Sequence, residues 1–284
     1  MRKKRSCLFV ILVVGLVVIL LAVIKSFIPL GEKVAVVEIK GLITESRSAI
    51  DRIIKFKKDK TVKAIVLRIE TPGGAVGPSQ EIYQEVRKTG QVKKVVASMG
   101  SVAASGGYYI ASAAHKIFAN PGTITGSIGV VAEFSNIEEL LKKIGLKTVI
   151  IKSGDFKDIG SPLREMTSEE RELIKGLIDG VHKQFIRAVA EGRNLPIDAV
   201  ERIADGRILT GEQAKELGLI DQLGNLQDAI TLASKLAGIK GEPQVIYSEK
   251  KRPSIWDFLL RTLLQKGTNI PLSHSYNLWY IINQ

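Results

Sequence analysis

The sequence predicts an α/β protein built on a largely parallel sheet, and three observations carry that prediction. Short apolar runs rich in valine and isoleucine alternate with stretches whose apolar residues recur at helical spacing. The ends of two of those runs carry small residues: Thr71-Pro-Gly-Gly74 and Gly100-Ser-Val-Ala-Ala-Ser105-Gly-Gly-Tyr108. No internal repeat is visible, and 284 residues allow one large domain or two small ones.

Taken in order, Lys33–Ile43 reads as the first strand and Ser46–Lys58 as a helix with a basic face. Val62–Ile69 is a buried strand of β-branched residues. Ser79–Thr89 is helical, Lys94–Ser98 is the next strand and Ala104–Ala114 the next helix. Lys116–Ala119 and Ile128–Ala132 read as short strands, Ile137–Ile144 as a helix and Lys147–Lys152 as a strand. Thr167–Asn194 is a long amphipathic helix whose opening Thr-Ser-Glu-Glu has the form of a capping box. Ile197–Ala204, Gly211–Leu217 and Leu226–Leu236 complete a helical C-terminal half.

The N-terminus speaks to location. Met1-Arg-Lys-Lys-Arg5 carries four positive charges, and no charge occurs from Cys7 to Ile24. As a helix that run is roughly 27 Å long, close to the bilayer's hydrocarbon thickness of about 30 Å. No small-x-small cleavage site comes after it, which favours a retained anchor over a removed signal peptide. The basic cluster stays in the cytoplasm. The rest of the chain then faces outward, into the periplasm in a Gram-negative cell. Residues 1–30 are thus expected as cytoplasmic tip and transmembrane helix, 31–240 as the main α/β domain and 241–284 as a basic, amphipathic tail.

The net charge of +12 includes those four and the three of Lys250-Lys-Arg252. No basic patch interleaved with aromatics is present, so lipid headgroups are a simpler partner than nucleic acid. The single cysteine, Cys7, lies in the apolar run, which excludes an intrachain disulfide, thiol catalysis and a cysteine zinc site. His115, His182 and His274 stand apart, without metal-ligand spacing. In the tail, Trp256–Leu264 has apolar residues at helical spacing beside basic ones. It suits either an interfacial helix or one packed on a neighbouring subunit.

Ser105 sits among alanines and glycines, where a substrate backbone can come close. A serine becomes a nucleophile when a base takes its proton and donors receive the oxyanion. Helix caps and tight turns use the same residue types. The N–H of Gly106 can point into the space of the hydroxyl. Thr71-Pro-Gly-Gly74, at the carboxyl end of the preceding strand, can aim the N–H of Gly74 there as well. No histidine has a convincing setting as base. Ser153-Gly-Asp-Phe-Lys157-Asp-Ile-Gly-Ser-Pro162 offers a lysine instead. A lysine accepts a proton only when neutral, which requires its pKa to fall from about 10.4 to about 7–8. Burial against Phe156 and Ile159 is expected to supply that change.

These segments together resemble the signal peptide peptidase A family in its short, single-repeat form, over about residues 33–240. The motif A-A-S-G-G-Y falls on Ala103–Tyr108, which implies Ser105 as nucleophile. S-G-x-x-K-D-x-x-S-P falls on Ser153–Pro162 and implies Lys157 as general base. T-G-S-I-G-V falls on Thr125–Val130 and implies that Ser127 hydrogen-bonds the lysine. The family's S-P-G-G turn is Thr71-Pro-Gly-Gly74 here. Either Gly73 or Gly74 would join Gly106 as oxyanion donor, with Gly74 preferred. The resemblance further implies a crotonase/Clp-protease-like fold and a dome-shaped homo-oligomer of eight. In it, serine and lysine can come from adjacent subunits. It also implies a membrane serine endopeptidase that degrades remnant signal peptides and needs no cofactor and no metal. Three alternatives stand beside this one: a stomatin-operon-type membrane serine protease, a crotonase-class acyl-CoA enzyme and a non-catalytic membrane scaffold. The 52 positions from Ser105 to Lys157 suit the peptidase better than the stomatin-operon type.

Overall fold

The computed structural model describes residues 13–17, 31–248 and 279–281. Its centre is a six-stranded sheet in the order β8-β5-β4-β2-β1-β9, with every neighbouring pair parallel. The strands are β1 (Lys33–Lys40), β2 (Val62–Thr71), β4 (Lys94–Ala103), β5 (Lys116–Ala119), β8 (Gln222–Leu223) and β9 (Gln244–Tyr247). Helices α1 (Arg47–Lys58) and α2 (Val76–Gly90) are the crossovers that parallel pairing requires.

Alternation along each strand divides the core in two. Val34, Val36, Ala64, Val66, Val96 and Phe118 face one way, against Ala229, Ile230 and Ala233 of helix α8 (Leu226–Leu236). Ala35, Val37, Ile65, Leu67, Val95 and Ala97 face the other way and form the larger core. That core also takes in Ile53 and Phe56 of α1, Ile82 and Val86 of α2 and Phe185 of the long helix α5 (Ser168–Arg193). With apolar contacts on both faces, these strands need continuous apolar runs, which is how Val62–Ile69 reads. The fold is therefore α/β with a parallel sheet, as expected.

The capping box forms as the sequence suggests. Glu170 N–H donates to Thr167 Oγ1 at 3.2 Å, and Thr167 N–H donates to the Glu170 carboxylate at 2.9 Å. Two expected strands do not form. Ile128–Ala132 contains no more than an isolated bridge residue, and Lys147–Lys152 is irregular. Val149 and Ile151 are 83 % and 95 % exposed. Branched side chains favour a strand only where a sheet edge and a packing face receive them, and here neither does.

Gln244–Tyr247 pairs with β1, so the sheet continues past residue 240. Trp279–Ile281 (β10) pairs antiparallel with the short strand β3 (Gly73–Ala75). The expected anchor falls in residues 1–30, of which only 13–17, helical, are described. Among the described residues no helix is long and apolar enough to cross a membrane. The expected helix at Trp256–Leu264 lies outside the described residues.

Candidate active site

The site lies at the carboxyl ends of the adjacent strands β2 and β4, where open α/β sheets bind ligands. The two strands run in register up to Ile69 opposite Met99 and then lose step, so that Thr71 faces Ala103. The extra length of β4 is held at both sides. Ser101 N–H donates to the Glu70 carboxylate at 3.0 Å, and that bond keeps the Glu70 carboxyl below its ordinary pKa. Ile124 N–H donates to the Ser101 carbonyl and Ala103 N–H to the Ile124 carbonyl, each at 2.9 Å. Such a bulge re-aims the chain beyond it. Here the re-aimed chain leads directly into Ser105.

Ser105 is 1 % exposed and its Oγ has no hydrogen-bond partner among the described residues. Its backbone sits at φ 51°, ψ −117°, a region other residues avoid at a cost of order 1–3 kcal/mol. Helix α3 (Gly106–Ala111) starts at the next residue and is buried throughout. The strained turn persists because its surroundings fix it. Ser105 N–H donates to the Gly126 carbonyl at 2.9 Å, and the Ser105 carbonyl accepts from Tyr109 N–H at 2.8 Å. Tyr108 donates its hydroxyl to the Leu219 carbonyl at 2.9 Å, tying α3 to the C-terminal half.

Ser127 is one residue beyond Gly126 in chain order. It also has positive φ, 50°, and is 7 % exposed. Its N–H donates to the Arg207 carbonyl at 2.7 Å, beside the antiparallel pair β6 (Thr125–Gly126) and β7 (Ile208–Leu209). The third non-glycine residue with positive φ among those described is Asn194, which ends α5 in an ordinary left-handed cap. The structure thus brings Ser105 and Ser127 to one place, through the carbonyl between them.

The turn after β2 separates the two glycines. Gly73 N–H is taken by Thr71 Oγ1 at 3.0 Å. Its carbonyl accepts from Ile43 N–H at 2.8 Å, and Ala75 N–H donates to the Ile43 carbonyl at 2.7 Å. Alternation turns the Gly74 N–H and carbonyl to the opposite edge. A Cβ on Gly74 would stand 2.1 Å from the Ile43 carbonyl oxygen, so only glycine fits. Gly106, the first residue of α3, has an N–H without an intrahelical acceptor.

Thr71 and Gly107 are residues that sequence reasoning passed over. The Thr71 carbonyl accepts from Ala104 N–H at 3.2 Å. Its Cγ2 would lie 2.6 Å from a Cβ at Gly107, so the second glycine after Ser105 lets α3 sit against the end of β2.

Lys157 is placed differently. It is exposed, in a turn-rich stretch between helix α4 (Glu138–Lys143) and α5. Its ammonium group has no hydrogen-bond or ion-pair partner among the described residues. Ser105 Oγ has none either, so the two groups are not hydrogen-bonded to each other in the described chain. The expected burial against Phe156 is not present in the single chain, where Phe156 is 45 % exposed. The reason is local: Ile144, Leu146, Val149, Ile151 and Phe156 are all exposed, with none of the described residues folded over them.

The stretch is nonetheless fixed at its far end. Asp158 accepts from Lys152 Nζ at 2.6 Å and from Arg164 Nε at 2.7 Å and Nη2 at 2.9 Å. Arg164 also pairs with Glu170, its Nη1 reaching Oε2 at 2.8 Å. The guanidinium holds the Asp158 carboxyl far below the usual range and brings Glu170 down to about 2.

A buried serine with strained backbone at a strand-to-helix turn, followed directly by a free helix N-terminal amide, is the arrangement of a nucleophilic hydrolase. The chain belongs to peptidase family S49, whose family model matches residues 87–240, and it is a serine peptidase. The model of the NfeD1b N-terminal domain also matches, over residues 33–139. A Synechocystis sp. protein named provisionally as a protease, slr0021, is 47 % identical over 209 residues, 73 % of this chain and 76 % of that protein. An Enterococcus faecium protein, named provisionally signal peptide peptidase SppA, is 40 % identical over 64 % of this chain and 53 % of its own length. Among solved structures, a point mutant of the 1510-N membrane-bound stomatin-specific protease superposes with a TM-score of 0.52. It is 19 % identical and the match covers 78 % of this chain and 99 % of that one, a likeness of fold.

Proposed function

We propose that this serine peptidase works with a Ser105–Lys157 dyad at the outer surface of a membrane and degrades signal peptides after their release from preproteins. The observation that carries the catalytic part is the buried, unpartnered Ser105 hydroxyl on a strained backbone at the start of helix α3.

The chemistry is acyl transfer. Neutral Lys157 Nζ takes the Ser105 proton as Oγ attacks the peptide carbonyl carbon. The N–H groups of Gly74 and Gly106 hold the oxyanion. The lysinium returns its proton to the leaving nitrogen as the C–N bond breaks. A water then attacks the ester by the same route and frees Ser105. Ser127 keeps the lysine aimed. Gly74 is preferred to Gly73 as donor because Thr71 already occupies the Gly73 N–H.

Among the described residues of one chain, Ser105 Oγ has no hydrogen-bonded base and Lys157 is exposed. An apolar stretch ending at the lysine is exposed. Both facts support a homo-oligomer, eight subunits in the short form, in which the lysine loop of one subunit covers the serine of the next. The charge pattern of residues 1–30 supports a membrane anchor with its tip in the cytoplasm. An anchored enzyme meets membrane-borne peptides directly. The Enterococcus relative's name agrees with that substrate class.

The test is labelling of the detergent-solubilised protein with a peptidyl phosphonate, followed by peptide mapping. The adduct is expected on Ser105 and absent from Ser105→Ala; labelling elsewhere contradicts the reading. The second reading, a stomatin-directed protease, is favoured by the fold likeness to 1510-N. Preference for a stomatin peptide over a signal peptide in a competition assay would select it.

A further inference from the structure

We propose that Asp205 is a positioning residue of this peptidase: it fixes Arg207, whose backbone carbonyl holds Ser127 in the conformation from which its hydroxyl aims the base. The inference rests on the reading of Ser127 as the residue that aims Lys157. Strands β6 and β7 pair antiparallel, with Thr125 opposite Leu209 and Gly126 opposite Ile208. The next pair in that register is Ser127 opposite Arg207. Ser127 N–H donates to the Arg207 carbonyl at 2.7 Å. A continuing ladder would return a bond from Arg207 N–H to the Ser127 carbonyl. Instead Arg207 N–H donates to Asp205 Oδ1 at 3.1 Å. The same carboxylate accepts from Arg207 Nε at 2.8 Å and Nη2 at 2.5 Å, a two-pronged grip on the side chain.

Asp205 thus ends the ladder one bond early. Ser127 keeps a single tie across it and turns out of the extended form to φ 50°. Such a conformation persists only where the surroundings over-determine it. Gly206, between the two clamped residues, is itself in the left-handed region at φ 86°. A Cβ on Gly129 would stand 3.3 Å from Gly206 Cα, so the turn lies directly on the backbone that follows Ser127. Both side chains of the clamp are about half exposed, and an ion pair so placed adds little to stability. What it adds is direction. Its loss frees Arg207 N–H to pair with the Ser127 carbonyl, which draws Ser127 toward extended backbone and its hydroxyl away from the lysine. The nucleophile keeps its place, because Gly126 stays paired with Ile208 and Thr125 Oγ1 donates to the Ala103 carbonyl at 2.8 Å.

The first experiment compares peptide hydrolysis by detergent-solubilised full-length variants. Asp205→Ala should lower kcat about tenfold with KM within about twofold of wild type, a part of the roughly 10²-fold that a misplacement of about 1 Å can cost. Asp205→Asn keeps an oxygen for the Arg207 N–H and should restore kcat to within about threefold of wild type. Arg207→Ala keeps the backbone bond and should fall between the two. Melting temperature should move by no more than a few degrees in any of them. A loss confined to KM, or no rescue by Asp205→Asn, overturns the proposal.

The second experiment is a double-substitution cycle. In a Ser127→Ala background, Asp205→Ala should cost less than about twofold further, since both changes act on one hydroxyl. An equal cost of Asp205→Ala in the two backgrounds overturns the positioning role and leaves the reading of Ser127 standing. A Ser127→Ala chain as fast as wild type overturns both. Amide hydrogen exchange reads the same clamp without activity: the peptide spanning Thr125–Val130 should exchange faster in Asp205→Ala than in wild type. Unchanged exchange there overturns the proposal.

Discussion

Ser105 and Lys157 stand 52 positions apart in the chain and in opposite surroundings. The serine is 1 % exposed, at the end of a strand buried on both faces, with its strained backbone held by Gly126 and Tyr109. The lysine is exposed on a stretch without regular structure, among exposed isoleucines and leucines. Under the proposed dyad, the serine side is held rigidly by the fold of one chain and the lysine side is an arm. The contrast teaches that a lysine so placed would need a second surface to become buried.

The sharpest way to break the comparison is to remove each partner. Ser105→Ala and Lys157→Ala should each reduce peptide hydrolysis by about 10⁴-fold or more, since members of a catalytic unit fail together. Neither should change oligomer size or the melting temperature by more than a few degrees, as seen by light scattering and circular dichroism. Ser127→Ala should cost less. Lys157→Ala retaining most of the rate would sink the dyad.

Next come the fixed parts on the serine side. Gly74→Ala drives a Cβ against the Ile43 carbonyl oxygen, 2.1 Å away, and must move the turn. A displaced oxyanion donor costs roughly 10²–10³ in kcat. Thr71→Val leaves the buried Gly73 N–H without its acceptor, 3.0 Å away. That should destabilise by about 1–3 kcal/mol, read by urea denaturation, whereas Thr71→Ser keeps the bond and should stay near wild type.

The smallest effect belongs to the lysine side. Arg164 depresses Glu170 to about 2 and holds Asp158 lower still. A depressed carboxylate contributes stability that is complete above its unfolded value, near 4.5 for Glu170, and is lost as pH falls through the folded value. Melting temperature should therefore fall between about pH 4.5 and pH 2, and Arg164→Ala should flatten that part of the curve. Glu170 is buried and Arg164 only partly exposed, so the substitution should also lower the melting temperature near neutral pH, while changing the rate least of the variants above.

The elements on the serine side were legible because their residues answer to local rules. Val62–Ile69 needs two apolar faces, Thr167 and Glu170 cap a helix, and Ser105 sits between small neighbours at a strand end. Thr71 was not legible as more than a variant of a turn residue: its hydroxyl matters through one bond to Gly73, which only coordinates reveal. Lys147–Lys152 misled for the converse reason. Its branched residues match a strand pattern, yet what they pack against is not in this stretch of chain. The pairing of Trp279–Ile281 with Gly73–Ala75 joins positions about two hundred residues apart, and nothing local in the sequence announces it.

Mixing the two inactive variants tests the shared site most directly. Ser105→Ala subunits still carry Lys157, and Lys157→Ala subunits still carry Ser105. After joint refolding or co-expression in equal amounts, about a quarter of the interfaces in a closed ring pair an intact serine with an intact lysine. Activity should return to roughly that fraction of wild type. Co-assembled oligomers that stay as inactive as either parent would contradict a site completed between subunits.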